Sequence, residues 1–329
     1  MTTQPSAGSP LDIEFSIVSG SKENLLLDCI ASVYETMEGS RYSWTMTVTC
    51  NGPGTGLAER LRARFGGIRT TENSVPEGFA ANHNKVLAHS YARFVWLLND
   101  DLVILPGTID RITEYMDARG NERVAAVSPR LLNPDGSLQT STYSFPTMPQ
   151  IMLAYSGLRE HSLTDRVLRI AAPVLRPRKG SSRFWMHDKT IAVDTFRGAC
   201  VAVRMSAARE VGLMLEVAQV GGEETEWHRR FHEHGWKVVF FADASVIHYG
   251  SQTVAESSRD LYPEYLKGAL YYFRLHRGTA AFAIYCEALI AMYSTRLAWA
   301  RLRRDNKGIE AARQYLNVVR DARVPRRSL

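Results

Sequence analysis

Phe94 to Pro106 reads FVWLLNDDLVILP. A short apolar run reads as a buried strand, and this one runs into Asn99, Asp100 and Asp101 before four more apolar residues. Two adjacent carboxylates at the end of a buried strand are costly unless a positive group meets them. A divalent cation takes one or two carboxylates together with phosphate oxygens, so Mg²⁺ or a similar ion suits the pair. The plainer alternative is a solvated turn that carries two acids.

The elements around this stretch decide between the two. On its N-terminal side, Glu14–Val18 reads as a strand, with Ser19-Gly20-Ser21 as the turn after it. Leu25, Leu26, Cys29, Ile30 and Val33 then fall at helical spacing. Trp44–Cys50 alternates as a strand does, and Asn51-Gly-Pro-Gly-Thr-Gly56 follows as a loop. A basic helix over 57–65, a strand near 68–71 and a helix over 78–91 complete the run up to Phe94. Strands alternating with helices imply a mainly parallel sheet with helices on both faces. Ligands of open α/β sheets bind at the carboxyl ends of the strands, where Asp100 and Asp101 lie.

On the C-terminal side a helix is expected from Pro106-Gly107 to about Ala118, and a strand over 124–128. Asn133-Pro-Asp-Gly136 is a turn between two extended pieces. Residues 144–190, with the basic run Arg176–Arg183, read as part helix and part mobile loop. A strand after Arg197-Gly198-Ala199, a helix over 206–211 and a helix over 227–234 follow. Gly235 ends the last of these as a C′ residue would. Val238–Phe241 and Ser245–His248 read as two strands. Glu223, Glu224 and Glu226 form a second acid cluster where Gly221-Gly222 meets the helix, and His248 closes the last strand.

Net charge is +6 and uneven. From Arg259 onward 14 Lys/Arg stand against 6 Asp/Glu, while residues 1–258 carry a net −2. The basic character belongs to the tail, which argues against a nucleic-acid-binding sheet domain and for an anionic surface as the tail's partner. The apolar segment 279–300 contains Glu287 and Arg296, so it reads as an interfacial helix and not as a simple membrane span. A core-packed helix with a solvated basic end is the alternative. Cys29, Cys50, Cys200 and Cys286 lie far apart with no CxxC spacing, which indicates neither a zinc site nor a disulfide framework and fits a reducing compartment. Residues 1–11 read as a disordered polar leader with no apolar signal segment. The spacing of the 51–56 loop also lacks the GxGxxG of a dinucleotide site.

Six segments, in order, resemble family 2 glycosyltransferases, most closely a rhamnosyltransferase-like branch. They are EGFAANHN (77–84), LLNDD (97–101), VAAVSPRLLNPDGS (124–137), RGACVAVR (197–204), GEETEWHRR (222–230) and VIHYGS (246–251). The resemblance covers about 13–253. It implies a GT-A fold, with residues 12–258 as the transferase domain and 259–329 as a basic helical extension. It also implies a nucleotide-sugar donor, either dTDP-rhamnose or a UDP-sugar, a divalent Mg²⁺ or Mn²⁺, and inversion at the anomeric carbon.

Carried over by position, Asp101 and His248 are the implied metal residues. Glu224 is the implied general base and Glu223 its orienting or acceptor-binding neighbour. Ser19, Asn51, Gly78, Phe79, Asn84, Asn99, Asp100, Gly198 and Ala199 are the implied donor contacts. The chemistry agrees, because a sugar hydroxyl is a weak nucleophile that needs a carboxylate to take its proton. The acceptor is expected to be a saccharide or a lipid-linked saccharide in surface-glycan synthesis. The expected place is the cytoplasmic side of the plasma membrane, and self-association is left open. Three positions depart from the pattern: Cys50-Asn51 stands where relatives carry a base-contacting Asp, Asp100 replaces a Pro, and Glu replaces Asp at 224 and 226. These departures keep open a second reading, a catalytically degenerate paralogue that binds a nucleotide or a partner.

Overall fold

The structure is a computed structural model that describes residues 11–20, 22–148, 150, 187–216, 221–250 and 262–323. Contacts divide these into two compact units. The first holds 11–145, 187–216 and 224–250, and the second holds 146–148, 150, 221–223 and 262–323. The expectations for residues 1–10, most of 144–190 with the basic run 176–183, and the arginines at 326 and 327 lie outside the described residues.

In the first unit β1 (Ile13–Ser19), β2 (Trp44–Cys50), β3 (Ile68–Glu72) and β4 (Phe94–Asn99) pair in parallel, in the spatial order β3-β2-β1-β4. Their register aligns Ser19 with Cys50 and Val18 with Asn99, so three carboxyl ends share one edge. Beyond β4 the sheet continues through β11 (Cys200–Arg204), β6 (Val124–Leu132), β12 (Lys237–His248) and β5 (Leu102–Ile104). β11 runs antiparallel to both neighbours, and β6 and β12 are parallel. The sheet is therefore mixed. Short strands β7 (Leu138–Gln139) and β9 (Ile191–Ala192) pair with β6 and β12, while β8 (Thr142–Tyr143) and β10 (Thr195–Phe196) pair with each other.

Alternation along β4 explains why both faces are covered. Phe94, Trp96 and Leu98 pack with α1 (Glu23–Met37), α2 (Leu57–Arg64) and α4 (Thr108–Asp117), through Ile30, Leu61 and Ile112 among others. Val95 and Leu97 join the opposite core, with α3 (Phe79–His89), α5 (Met205–Val211) and α6 (Glu223–Glu233), through Leu87, Ala208 and Phe231. A strand buried on both faces has to be apolar throughout. That is why its first charges appear only where it ends.

Two local readings change. Helix α6 starts at Glu223, four residues before the expected Trp227. Gly221 and Gly222, at φ +99° and +96°, make the backbone reversal that other residues resist, and the acids fall inside the first turn, where the helix dipole favours them. The two strands expected over 238–248 are one, β12, with a bulge between Phe241 and Ser245 that the apolar pattern had suggested was a break.

The second unit holds α7 (Tyr262–His276), α8 (Thr279–Leu302) and α9 (Asn306–Arg323). Helix α8 buries Phe282, Tyr285, Cys286, Leu289 and Tyr293, a stripe at helical spacing. Tyr293 stacks on Tyr315 of α9 at 5.0 Å. No helix among the described residues is long and apolar enough to cross a membrane. The four cysteines are buried and free.

Candidate active site

The turn after β4 is set by its backbone. Asn99 N–H donates to Ala199 O at 2.9 Å, which fixes the strand end against the start of β11. Cys29 of α1 donates its thiol to Asn99 O at 3.4 Å. Burial, with the Asp100 charge adding to it, pushes that thiol up, so it stays protonated beneath the acids.

Asp100 and Asp101 are both buried but face different partners. Asp100 Oδ2 accepts the Gly20 N–H at 2.6 Å, tying the turn to the loop after β1. Asp101 Oδ1 lies 3.4 Å from His248 Nε2, and neither atom makes a hydrogen bond. Strand register creates this pair. Strand β5 lies antiparallel to the end of β12, with Leu102 opposite His248, and Tyr249 N–H donates to Asp101 O at 3.0 Å.

His248 is oriented by a residue that the motif reading passed over. Its Nδ1 meets Gln139 Oε1 at 2.5 Å. The Gln139 amide nitrogen reaches two acceptors, Asn133 Oδ1 and the His248 carbonyl, so the amide oxygen must be the atom that faces the ring. An amide oxygen only accepts, which puts a ring proton on Nδ1 and leaves Nε2 as the ring atom that faces Asp101. Gln139 owes its place to the Asn133–Gly136 turn. Ser137 N–H donates to Asp135, Asn133 bonds the Ser137 hydroxyl, and Gln139 thereby pairs opposite Leu131. The turn was legible in sequence. The alternation of the strand after it, two residues past Ser137, was the only available signal for Gln139.

A buried carboxylate oxygen and an imidazole nitrogen, both without a hydrogen bond, are suitable donors for a divalent ion. Adjacent ligands of an octahedral ion with bonds of 2.0–2.1 Å sit about 3 Å apart. No group of three or more His, Cys, Asp or Glu side chains that could hold a metal occurs among the described residues. Two protein ligands nonetheless fit an ion of the Mg²⁺ kind, which keeps waters and takes phosphate oxygens for the rest.

The second acid cluster also divides. Glu226 is buried and holds Arg230 through bonds of 2.9 and 3.0 Å, and Arg230 in turn donates to the Val211 and Leu213 carbonyls. Glu224 is half-buried and points to a notch at Gly198. A Cβ at Gly198 would lie 3.7 Å from the Glu224 carboxyl carbon and 3.4 Å from the Phe79 ring, ordinary contact distances, so both groups border this position. Glu223 is buried and is counted with the second unit.

The remaining expected donor contacts fall into two sets. Gly78 caps α3 and sets Phe79 beside Gly198, while Ser19 accepts the Asn51 N–H at 3.0 Å on the carboxyl edge of the sheet. Asn51 and Asn84 are held by the protein itself. Asn51 Oδ1 accepts from Glu77 N–H, Asn73 and Asn82, and Asn84 bonds Met214 on both sides and Glu216. Behind Phe79, His83 is fully buried against Ser16, and burial holds its pKa down to about 3.

Known proteins add four findings. A family model described as "Glycosyltransferase like family 2" matches residues 13–262. The structure is similar to a crystal structure of GalNAc-T7 with UDP, GalNAc and Mn²⁺, at 14% identity and a TM-score of 0.51, over 73% of this chain and 44% of that one. The chain thus spans less than half the length of that protein, and the likeness establishes the GT-A fold. A mannosyltransferase, PcManGT from Pyrobaculum calidifontis in complex with GDP-Man and Mn²⁺, aligns at 15% identity over 98% of this chain and 90% of that one, with a TM-score of 0.47. At that score it carries no argument. No curated protein matches the sequence.

Proposed function

We propose that this chain, which belongs to glycosyltransferase-like family 2, transfers a sugar from a nucleoside-diphosphate sugar to a hydroxyl of a saccharide or lipid-linked acceptor, with inversion. The observation that carries this reading is the buried Asp101–His248 pair, whose facing oxygen and nitrogen make no hydrogen bond. These two residues hold a divalent metal, which when bound neutralises charge on the donor diphosphate. Gln139 keeps His248 in the tautomer that presents Nε2.

Glu224 takes the proton of the acceptor hydroxyl as that oxygen forms its bond to the anomeric carbon. The bond from that carbon to the diphosphate breaks on the opposite side, and the diphosphate leaves with the electron pair. Phe79 and Gly198 shape the space in front of Glu224. Glu223 supports Glu224. Asp100, Asn99, Ser19 and Ala199 build the floor under the donor, and Asn51 and Asn84 act through the loops that they fix. The departures at Asn51 and Asp100 leave base recognition to backbone groups of the same edge. We take dTDP-rhamnose as the first donor to test and UDP-sugars as the next. Residues 12–258 form the transfer domain, and 259–329 bring it to the inner face of an anionic membrane as a peripheral protein.

A thermal-shift panel of nucleotide sugars with Mn²⁺ or Mg²⁺ tests the reading, since a ligand of the native state raises its stability. One donor should raise the melting temperature in a metal-dependent way, and its hydrolysis should be lost in Glu224→Gln. Binding without hydrolysis or transfer would favour the degenerate paralogue, and no shift with any donor would overturn the reading.

A further inference from the structure

Helices α8 and α9 form an open cleft lined by Arg301, Arg313 and Arg320, with Asn317 beside them and Leu297 and Leu316 at its base. The positions explain the convergence. Arg313, Asn317 and Arg320 are spaced four and three apart on one side of α9, while Leu297 and Arg301 are spaced four apart on α8. No acid lines the cleft. Among the described residues these three arginine side chains make no ion pair and no hydrogen bond. Elsewhere in the same unit Lys267 pairs with Glu264 and Arg323 with Glu287. Three guanidiniums gathered without a counter-charge repel one another, and an anion with several oxygens reverses that cost, since a guanidinium fork matches phosphate geometry.

The exposed end of α8, outside the cleft lining, selects the source of that phosphate. Trp299 and Leu302, at the end of α8, are 56% and 80% exposed. Arg303 lies over the Trp299 ring at 4.6 Å, Arg304 is exposed in the turn that follows, and Lys307 is exposed in the first turn of α9. Exposed tryptophan and leucine flanked by cations suit the boundary between lipid headgroups and acyl chains. A nucleic-acid backbone would match the arginines but leave Leu302 in water.

We propose that the α8–α9 hairpin is a lipid-binding element. Its Arg301–Arg313–Arg320 cleft takes the headgroup phosphate of an anionic phospholipid, while Trp299 and Leu302 enter the interface beside it. The proposal rests on the peripheral-membrane part of the function above and is independent of sugar transfer.

Co-sedimentation of the full chain with phosphatidylcholine vesicles, with and without phosphatidylglycerol, tests it. The wild type should pellet with the anionic vesicles only. The Arg301→Gln/Arg313→Gln/Arg320→Gln variant should lose at least about tenfold in partition. Removing three exposed arginines elsewhere, Arg64→Gln/Arg119→Gln/Arg277→Gln, should change it little. Trp299→Ser/Leu302→Ser should weaken binding and leave its dependence on phosphatidylglycerol intact. If the wild type pellets with neither vesicle, the peripheral-membrane reading itself falls. If it binds but both arginine triples lose equally, net charge and not the cleft is responsible. Retention of a DNA oligonucleotide through the cleft arginines, without vesicle binding, would assign the cleft to nucleic acid instead. Unchanged thermal midpoints identify variants that fold.

Discussion

Two pairs of acids in the first unit, Asp100 with Asp101 and Glu224 with Glu226, solve one problem in the same way. At the end of β4, Asp100 binds a backbone N–H and holds the turn, and its neighbour Asp101 faces His248 across 3.4 Å. At the start of α6, Glu226 holds Arg230 and through it the 211–213 loop, and Glu224 faces the notch at Gly198. In each cluster one carboxylate maintains the frame, while another faces His248 in the first case and Gly198 in the second. Adjacent acids in sequence are therefore not interchangeable, and neutralising either member separates frame from chemistry.

The largest effect is expected at Glu224. Glu224→Gln should lower turnover by about 10²–10⁴-fold with donor binding and melting temperature kept, as removal of a general base does. Glu226→Gln should do the reverse, costing about 1–3 kcal/mol because the half-buried Arg230 loses its charge partner while keeping the Val211 and Leu213 carbonyls. Its folded fraction should keep near-normal turnover. Denaturant melts and single-turnover assays separate the two, and equal turnover losses in both would break the comparison.

At the other cluster, Asp100→Asn should cost about 1–3 kcal/mol in stability by weakening the bond from the Gly20 N–H, with donor turnover affected less than in Asp101→Asn. A smaller effect is expected one step removed. Gln139→Leu should weaken metal affinity by about 10–100-fold, as loss of a residue that orients a ligand histidine does. A spectroscopic metal titration reads this directly. Gln139→Glu, which keeps an acceptor toward Nδ1, should restore much of it.

The frame side of the comparison also has a pH signature. His83, against Phe79, and His228, one turn after Glu224, are both held to a pKa of about 3 by burial. Unfolded, they titrate near 6.5, so below that pH the unfolded chain binds more protons than the native one. Their contribution is complete above pH 6.5. It falls as the pH drops toward 3, by up to about 1.4 kcal/mol per pH unit for each histidine. Melting temperatures between pH 7 and pH 5 should decline, and His228→Gln should flatten the slope.

Much of this arrangement could be read from residue order. Apolar runs and turn residues located the strands, and the acids after Leu98 marked a ligand edge because a doubly buried strand carries no charge before its end. What the sequence withheld depends on register. That His248 faces Asp101 follows from antiparallel pairing across 146 residues, and that Gln139 orients it follows from a hairpin whose partner strand is β6. The roles within GEETE were equally hidden, because which glutamate meets Arg230 depends on where α6 begins. The bulge in β12 hid the continuity that brings His248 to the site. The cationic cleft of α8 and α9 had appeared only as net charge, since helical phase decides which arginines converge.

The central claim is that Asp101 and His248 together hold a divalent ion. Mn²⁺ binding followed by electron paramagnetic resonance in the presence of a nucleoside diphosphate tests it most directly. One bound ion is expected in the wild type, with binding at least about tenfold weaker in Asp101→Ala and in His248→Ala, and a smaller change in Asp100→Ala. Equally tight Mn²⁺ binding in Asp101→Ala and His248→Ala, with the fold intact, would contradict it.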